Sequence, residues 1–289
     1  MRGKLIKGVG GLYSVYCDGQ IYQTKARGRF RKDKLKPIIG DNVQFVPAAG
    51  GEDFGAIDEI ETRKNSFIRP PVANIDLMLV VMAAASPEPD LLLADKLLLE
   101  TRIKNVETVV VINKCDLCDQ ENIARQYRLS GYRVVMTSAK EGIGLEELKD
   151  AMMGKTVAYA GQSGVGKSSL LNAVADLQLE TGNVSRIQRG KHTTRHVELI
   201  SFGKDTWLAD TPGFSLYEND MIDPQDLKNF YHEFLPYDGK CRFLGCNHIS
   251  EPGCAVKEAV QNGLIAEERM ERYALIYDEL KEKWSKRYD

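Results

Sequence analysis

The sequence predicts an α/β protein built around a doubly wound, mostly parallel sheet, with a small β-barrel before it and a helical metal-binding region after it. Three observations predict this. From about residue 65 to 220, Val/Ile-rich runs alternate with helical patterns, the arrangement that gives a parallel sheet covered by helices on both faces. Residues 1–64 hold short strand patterns broken by turn residues, with no long amphipathic helix. Near the C-terminus, Cys241, Cys246, His248 and Cys254 fall within fourteen residues. The expected domains are 1–64, 65–220 and 221–289.

In the first domain, strands are expected at Tyr13–Cys17, Gln20–Ala26, Asn42–Val46 and Ala56–Ile60, separated by the turn signals CDG, IGD and AAGGED. So few short strands leave no room for a sandwich and suggest an OB-fold β-barrel. In the second, the runs IDLMLVVMAA, VETVVVINK, YRVVMTSA and TVAYAG alternate with helical patterns at Leu91–Arg102, Gln120–Leu129, Leu145–Met152 and Lys167–Ala175. Two further strands, His196–Phe202 and Thr206–Ala209, lead into DTPGF. In the third, Ala266–Lys286 reads as a helix. Its Met270, Tyr273, Tyr277, Leu280 and Trp284 fall three and four apart, a stripe expected to pack on the protein's own body.

The 39 basic and 41 acidic residues nearly cancel, so bulk charge is silent about nucleic acid. Its distribution is not. Lys25, Arg27, Arg29, Arg31, Lys32, Lys34 and Lys36 are opposed locally by Asp33 alone, with Phe30 among them. Such a run is often just a solvated loop, but on an OB-like scaffold it suggests RNA contact through phosphates and stacking. Arg186, Arg189, Lys191 and Arg195 form a second basic cluster in a Gly/Thr-rich loop. The longest apolar stretch, Leu77–Ala85, is too short to span a bilayer, and the N-terminus lacks a signal-peptide core. A cytoplasmic monomer with reduced cysteines and no membrane partner is expected.

Residues 161–168, GQSGVGKS, match G-x-x-x-x-G-K-[ST] between a strand and a helix. Gly161, Gln162, Ser163, Gly164, Val165, Gly166, Lys167 and Ser168, with Ser169 beside them, are therefore expected to cradle phosphates on backbone N–H groups and a helix N-terminus. Lys167 would reach the β- and γ-phosphates, and Ser168 would ligate Mg²⁺. Asn113-Lys114-Cys115-Asp116 reads as N-K-x-D. A fixed carboxylate at Asp116 accepts from guanine's ring N–H and exocyclic amine, a pair of donors that adenine lacks at that edge. Lys114 would lie along the base, and Asn113 would tie the loop to its neighbours. Thr137-Ser138-Ala139-Lys140 resembles the S-A-K loop, whose backbone amide meets the guanine carbonyl. Asp210-Thr211-Pro212-Gly213 resembles D-x-x-G, with Asp210 holding Mg²⁺ and Gly213 sensing the γ-phosphate. In GKHTTR, Thr194 is the expected switch ligand of Mg²⁺ and Thr193 the alternative. The phosphate loop, N-K-x-D, the S-A-K loop and D-x-x-G each fall at a predicted strand's C-terminal end, where open α/β sheets bind ligands. GTP/GDP with Mg²⁺ through Ser168, Thr194 and Asp210 is the expected ligand set.

Ras-like GTPases present the phosphate loop first and N-K-x-D and S-A-K last; here the base motifs come first. The domain therefore reads as a circularly permuted P-loop GTPase. That rearrangement is physically cheap where the termini of a compact domain lie close together. It leads D-x-x-G straight into the Cys/His region, so nucleotide state could move that region directly. A water-orienting glutamine usually follows D-x-x-G, but this chain has Phe214, which cannot hydrogen-bond to water. His192, in the threonine switch, is the nearest candidate in sequence for that role.

Permuted order, a preceding barrel and a following Cys/His cluster together resemble the ribosome small-subunit-dependent GTPase A family. The resemblance rests on ARGRFRK, IGDNVQF, NKCD, TSAK, GQSGVGKSSL, GKHTTR, DTPGF and the C-x4-C-x-H-x5-C spacing, and it covers essentially the whole chain. It implies a late maturation factor of the small ribosomal subunit that touches its rRNA and whose GTP hydrolysis the subunit stimulates. It points to the same His192. Cys241, Cys246, His248 and Cys254 form a Cys₃His set suited to one tetrahedral, structural Zn²⁺. Two competing functions are an RNA-binding placeholder with incidental turnover, and a small-molecule kinase, which N-K-x-D disfavours.

Overall fold

The structure, a computed structural model, describes residues 1–28, 30, 35–50, 52–180, 197–203, 205–210 and 222–286, with backbone only at 177–180 and 210. His192, Thr193, Thr194, Gly213 and Phe214, and the arginines and lysines at 29, 31, 32, 34, 186, 189, 191 and 195, lie outside the described residues. The strands are β1 (Arg2–Val9), β2 (Leu12–Cys17), β3 (Gln20–Ala26), β4 (Asn42–Val46), β5 (Gly55–Ile60), β6 (Ser66–Phe67), β7 (Val72–Ala73), β8 (Leu77–Ala83), β9 (Glu107–Asn113), β10 (Arg133–Met136), β11 (Thr156–Ala160), β12 (Glu198–Ser201) and β13 (Trp207–Asp210). The helices are α1 (Leu91–Ile103), α2 (Glu121–Leu129), α3 (Leu145–Met152), α4 (Lys167–Glu180), α5 (Ala255–Gln261) and α6 (Glu267–Ser285). They form two compact units. One is Met1–Leu79, Leu145–Ala160 and Leu171–Leu216; the other is Val80–Gly144, Gly161–Leu170 and Tyr217–Asp289.

In the first unit, β1 to β5 make a five-stranded barrel of order β1-β2-β3-β5-β4, closed by β4 on β1. Alternation does the sorting: Tyr13, Val15 and Cys17 of β2 and Val43 and Phe45 of β4 turn inward, while their neighbours are less buried. Strand β1 is absent from the sequence reading. Its buried Leu5 and Ile6 are consecutive, which breaks the alternation that marks a strand. The cause is a β-bulge between Leu5 and Lys7. Up to Lys4, β1 pairs with β4; beyond the bulge, Lys7 pairs with Glu198 of β12. The barrel thereby joins β12, which runs antiparallel to β13, and β13 runs parallel to β11. Phe30 is only 7% exposed, so it serves the core and does not offer a stacking face; the sequence alone could not separate these roles. Two of the basic residues near it already have partners, Lys25 over the Phe54 ring and Arg27 paired with Asp58.

The second unit holds β9, flanked by β8 and by the parallel β10. All seven residues of β8 are buried, and so are the last five of β9, as expected of strands covered on both faces. The C-terminal region has two short 3₁₀ turns, Pro224–Phe230 and Leu235–Tyr237, then α5 and α6. Its core gathers Leu227, Tyr231, Phe234, Val256, Ile265, Tyr273, Ile276 and Leu280 around Leu99 of α1. The terminal helix thus packs on the protein's own body. Its buried face also carries Arg269 and Arg272, which an apolar stripe does not reveal.

Candidate nucleotide and metal sites

The loops at 113–116, 137–140 and 161–168 belong to one unit, and Asn113 joins them. Its Nδ2 donates to the Val165 carbonyl at 2.9 Å, while its Oδ1 accepts from Thr137 Oγ1 at 3.2 Å and from the Ala139 amide at 3.3 Å. Buried polar groups must be satisfied, so an amide with both donor and acceptor ends suits this junction. Lys114 adopts a left-handed backbone (φ 63°), and its ammonium donates to the carbonyls of Gly164, at 2.9 Å, and Ser86. The phosphate loop closes tightly enough to require glycine. A Cβ on Gly161 would stand 2.0 Å from the Val81 carbonyl oxygen, and one on Gly166 would stand 2.5 Å from Asn113 Nδ2.

Lys167 donates to the carbonyls of Gly161 and Gln162, both at 2.7 Å, and burial pulls its pKa down. Ser163, Gly164, Ser168 and Ser169 are exposed along this loop, and Val165 is buried beneath it. The exposed carboxylate of Asp116 is bonded by the buried Ser138 hydroxyl, which holds its pKa below the ordinary aspartate value; the charges of Lys140 and Lys114 act in the same direction. Ser138 Oγ also accepts the Glu141 amide at 3.1 Å. The backbone of Asp210 ends β13, opposite Glu198. Sequence reasoning did not identify Ser86 as a partner of Lys114, nor the hydroxyl of Ser138 as a partner of Asp116. Nothing in residue type marks either contact.

In the C-terminal region, one ligand atom from each of Cys241, Cys246, His248 and Cys254 lies within 4.8 Å of all the others. His248 Nδ1 is 3.6 Å from Cys241 Sγ and 3.3 Å from Cys254 Sγ, and those two sulfurs are 4.0 Å apart. A tetrahedron with Zn–S bonds of about 2.3 Å and Zn–N of about 2.0 Å has edges of about 3.5–3.8 Å, so the donor set fits zinc. Burial and the adjacent cysteines push the Cys246 thiol up to about 12, and burial pushes His248 down. A bound cation would offset the cost of deprotonating the thiols.

Residues outside the motif shape this loop. Glu251 accepts the amides of Asn247, Ile249 and Ser250 at 2.8, 2.9 and 3.0 Å, straddling His248, whose φ is 64°. Tyr273 of α6 donates to the Asn247 carbonyl at 2.8 Å, and Lys228 donates to that of Cys246 at 2.9 Å. Outer contacts of this kind fix ligand orientation, and ligand spacing in sequence gives no hint of them.

Base loops preceding a phosphate loop, on strands of a mostly parallel sheet with a barrel in front, define the class: a circularly permuted GTPase. The chain belongs to the RsgA GTPase family, whose model matches residues 60–220, and the RsgA N-terminal domain matches residues 2–55. It is a GTP hydrolase, and membership of this family implies binding of GTP, GDP and Mg²⁺. A protein of Agathobacter rectalis named small ribosomal subunit biogenesis GTPase RsgA is 43% identical, the match covering 97% of this chain and 98% of the relative. One of the same name from Geobacillus thermodenitrificans is 46% identical over 98% of both. Among solved structures, YjeQ from Thermotoga maritima superimposes with a TM-score of 0.81 at 38% identity, covering 96% of this chain and 98% of that one. YloQ, described as a circularly permuted GTPase, gives 0.80 at 34%, covering 98% and 95%. No described helix is long and apolar enough to cross a membrane.

Proposed function

We propose that this protein hydrolyses GTP on the small ribosomal subunit as a late maturation factor, with turnover stimulated by the subunit. The observation that carries this reading is similarity over nearly the whole length of proteins named for small-subunit biogenesis, barrel and C-terminal region included. In this reading residues 1–64 face rRNA, 65–220 turn over GTP and 221–289 form a module held by one structural Zn²⁺ at Cys241, Cys246, His248 and Cys254. The protein acts in the cytoplasm as a monomer.

Asp116 reads the donor edge of guanine, with Lys114 along the base and the Ser138–Ala139 backbone at its carbonyl. Lys167 and the amides of 161–168 hold the phosphates. Ser168, Thr194 and Asp210 hold Mg²⁺, which neutralises charge on the phosphate oxygens. His192 orients the attacking water, because Phe214 cannot. The test is GTP turnover by the full chain with and without purified small and large subunits. Stimulation by the small subunit alone is expected. Equal turnover in all three conditions, with tight subunit binding, would instead support a nucleotide-switched placeholder.

A further inference from the structure

One rung of the first unit links the barrel to the D-x-x-G aspartate. Lys7 of β1 lies directly opposite Glu198 of β12, and Glu198 lies directly opposite Asp210 of β13. The Lys7 ammonium donates to Glu198 Oε2 at 2.8 Å. On the other side of β13, the described pairs with β11 are Thr156↔Trp207 and Val157↔Leu208, which stop short of Asp210. Among the described pairs, the partner of Asp210 is Glu198 of β12, a strand of only four residues. Strand β12 is in turn flanked by β1. Without β1 it would be a short, unprotected edge.

The bulge after Leu5, in the pairing of β1 with β2, falls where β1 passes from β4 to β12. Two more contacts tie the barrel to the same strands. Tyr16 of β2 meets the Trp207 ring edge-on at 4.8 Å, and the Lys4 ammonium donates to Thr156 Oγ1 at 3.0 Å. An exposed ion pair stabilises a fold little by itself. What distinguishes Lys7–Glu198 is its place: it sits where the barrel grips the strand that aligns Asp210.

We propose that Lys7 and Glu198 are positioning residues for Asp210, so that whatever engages the barrel acts on hydrolysis through β12. The inference rests on the reading of Asp210 as the residue that holds Mg²⁺. Both side chains are about half exposed, so reversing their charges buries nothing and the fold should tolerate it. The test uses the full chain as Lys7→Glu, Glu198→Lys, the double reversal, and Asp210→Asn, measuring kcat, KM for GTP, GDP affinity and the Mg²⁺ concentration for half-maximal turnover. Like charges placed opposite each other should lower kcat about three- to tenfold and raise the Mg²⁺ requirement, with GDP affinity within about twofold. The double reversal should restore both, since it rebuilds the pair with opposite polarity. Wild-type kcat and Mg²⁺ dependence in both single reversals, or no recovery in the double, overturns the positioning role while leaving Asp210 in place. Undiminished turnover by Asp210→Asn overturns the underlying reading instead.

Discussion

Replacing Asp95 with alanine should loosen the C-terminal module from α1 more than any surface change can. Asp95 is fully buried; Oδ1 accepts Arg269 Nη1 and Oδ2 accepts Arg272 Nε, both at 2.6 Å. Arg269 Nε reaches Glu233 Oε1 at 2.5 Å, and Arg272 Nη2 reaches Gln126 Oε1 of α2 at 3.0 Å. The guanidinium of Arg269 also lies 4.9 Å from the Tyr231 ring centroid. Two cations thus balance two anions away from water. Without Asp95, two buried guanidinium groups face one carboxylate. Breaking a buried pair costs about 3–5 kcal/mol, against about 0–1 kcal/mol for an exposed one. Arg272 keeps a side-chain exposure of 10%, so water can reach it, and the lower end of about 3 kcal/mol is expected. That is roughly a 150-fold change in the opening equilibrium.

The chain's two tryptophans make the assay selective. Trp284 is in α6 and Trp207 in β13, so a Trp207→Phe background leaves fluorescence reporting on the C-terminal module. Urea titration of the zinc-loaded protein should show the Asp95→Ala midpoint well below the parent, with Asp95→Asn between them because one acceptor survives. Adding Arg269→Met to Asp95→Ala should cost less than the two losses summed, since it removes the stranded charge. A loss under about 1 kcal/mol for Asp95→Ala, or simple additivity in the double variant, would show that the network does not hold the module.

The remaining predictions concern the two sites. Asp116→Asn sets an amide donor against guanine's own donors and should weaken GDP and GTP binding sharply; unchanged affinity would remove Asp116 from base recognition. Because the Ser138 hydroxyl lowers the Asp116 pKa, the accepting carboxylate persists as pH falls below the ordinary aspartate range and is lost only on passing the lowered value. Ser138→Ala should therefore move the acid limb of GDP affinity to higher pH, and coincident limbs for the two proteins would count against the bond. Glu251→Gln should speed zinc release to a chelator, because a neutral amide accepts the amides of Asn247, Ile249 and Ser250 more weakly than a carboxylate; release at the parental rate would refute this. His192→Ala should keep GTP affinity while subunit-stimulated turnover collapses, and near-normal stimulated turnover would exclude His192 from the mechanism.

The sequence is legible wherever one strand or helix carries its own pattern. The runs that became β8, β9 and β11 are largely apolar because both faces are covered, and the phosphate loop announces itself by glycines that sterics demand. Strand β1 was hidden because its bulge places Leu5 and Ile6 side by side, and a bulge depends on partners far along the chain. Arg269 and Arg272 read as the polar side of α6. Their burial depends on Asp95, 174 and 177 positions away. The Cys₃His cluster was readable from spacing, whereas Glu251 beside it was indistinguishable from any surface glutamate until its three amides were located.

The permuted order makes physical sense once each unit is considered by itself. In an unpermuted GTPase the base motifs close the domain; here the chain passes from them through the phosphate loop to β12 and β13 and then onward. In the second unit, α1 supplies Leu99 to the C-terminal core and Asp95 to its arginines, while α2, which follows the N-K-x-D loop, supplies Gln126. The Cys/His region is therefore built onto α1 and α2, and its attachment is buried and charge-balanced, unlike a hinge, which needs few buried contacts. In the first unit the barrel is built onto β12 and β13, and β13 ends on the D-x-x-G aspartate. The C-terminal region thus shares a core with α1 in one unit, and the barrel shares a sheet with β12 in the other. The region into which D-x-x-G leads is itself clamped, through Asp95, Arg269 and Arg272, to helices of its own unit.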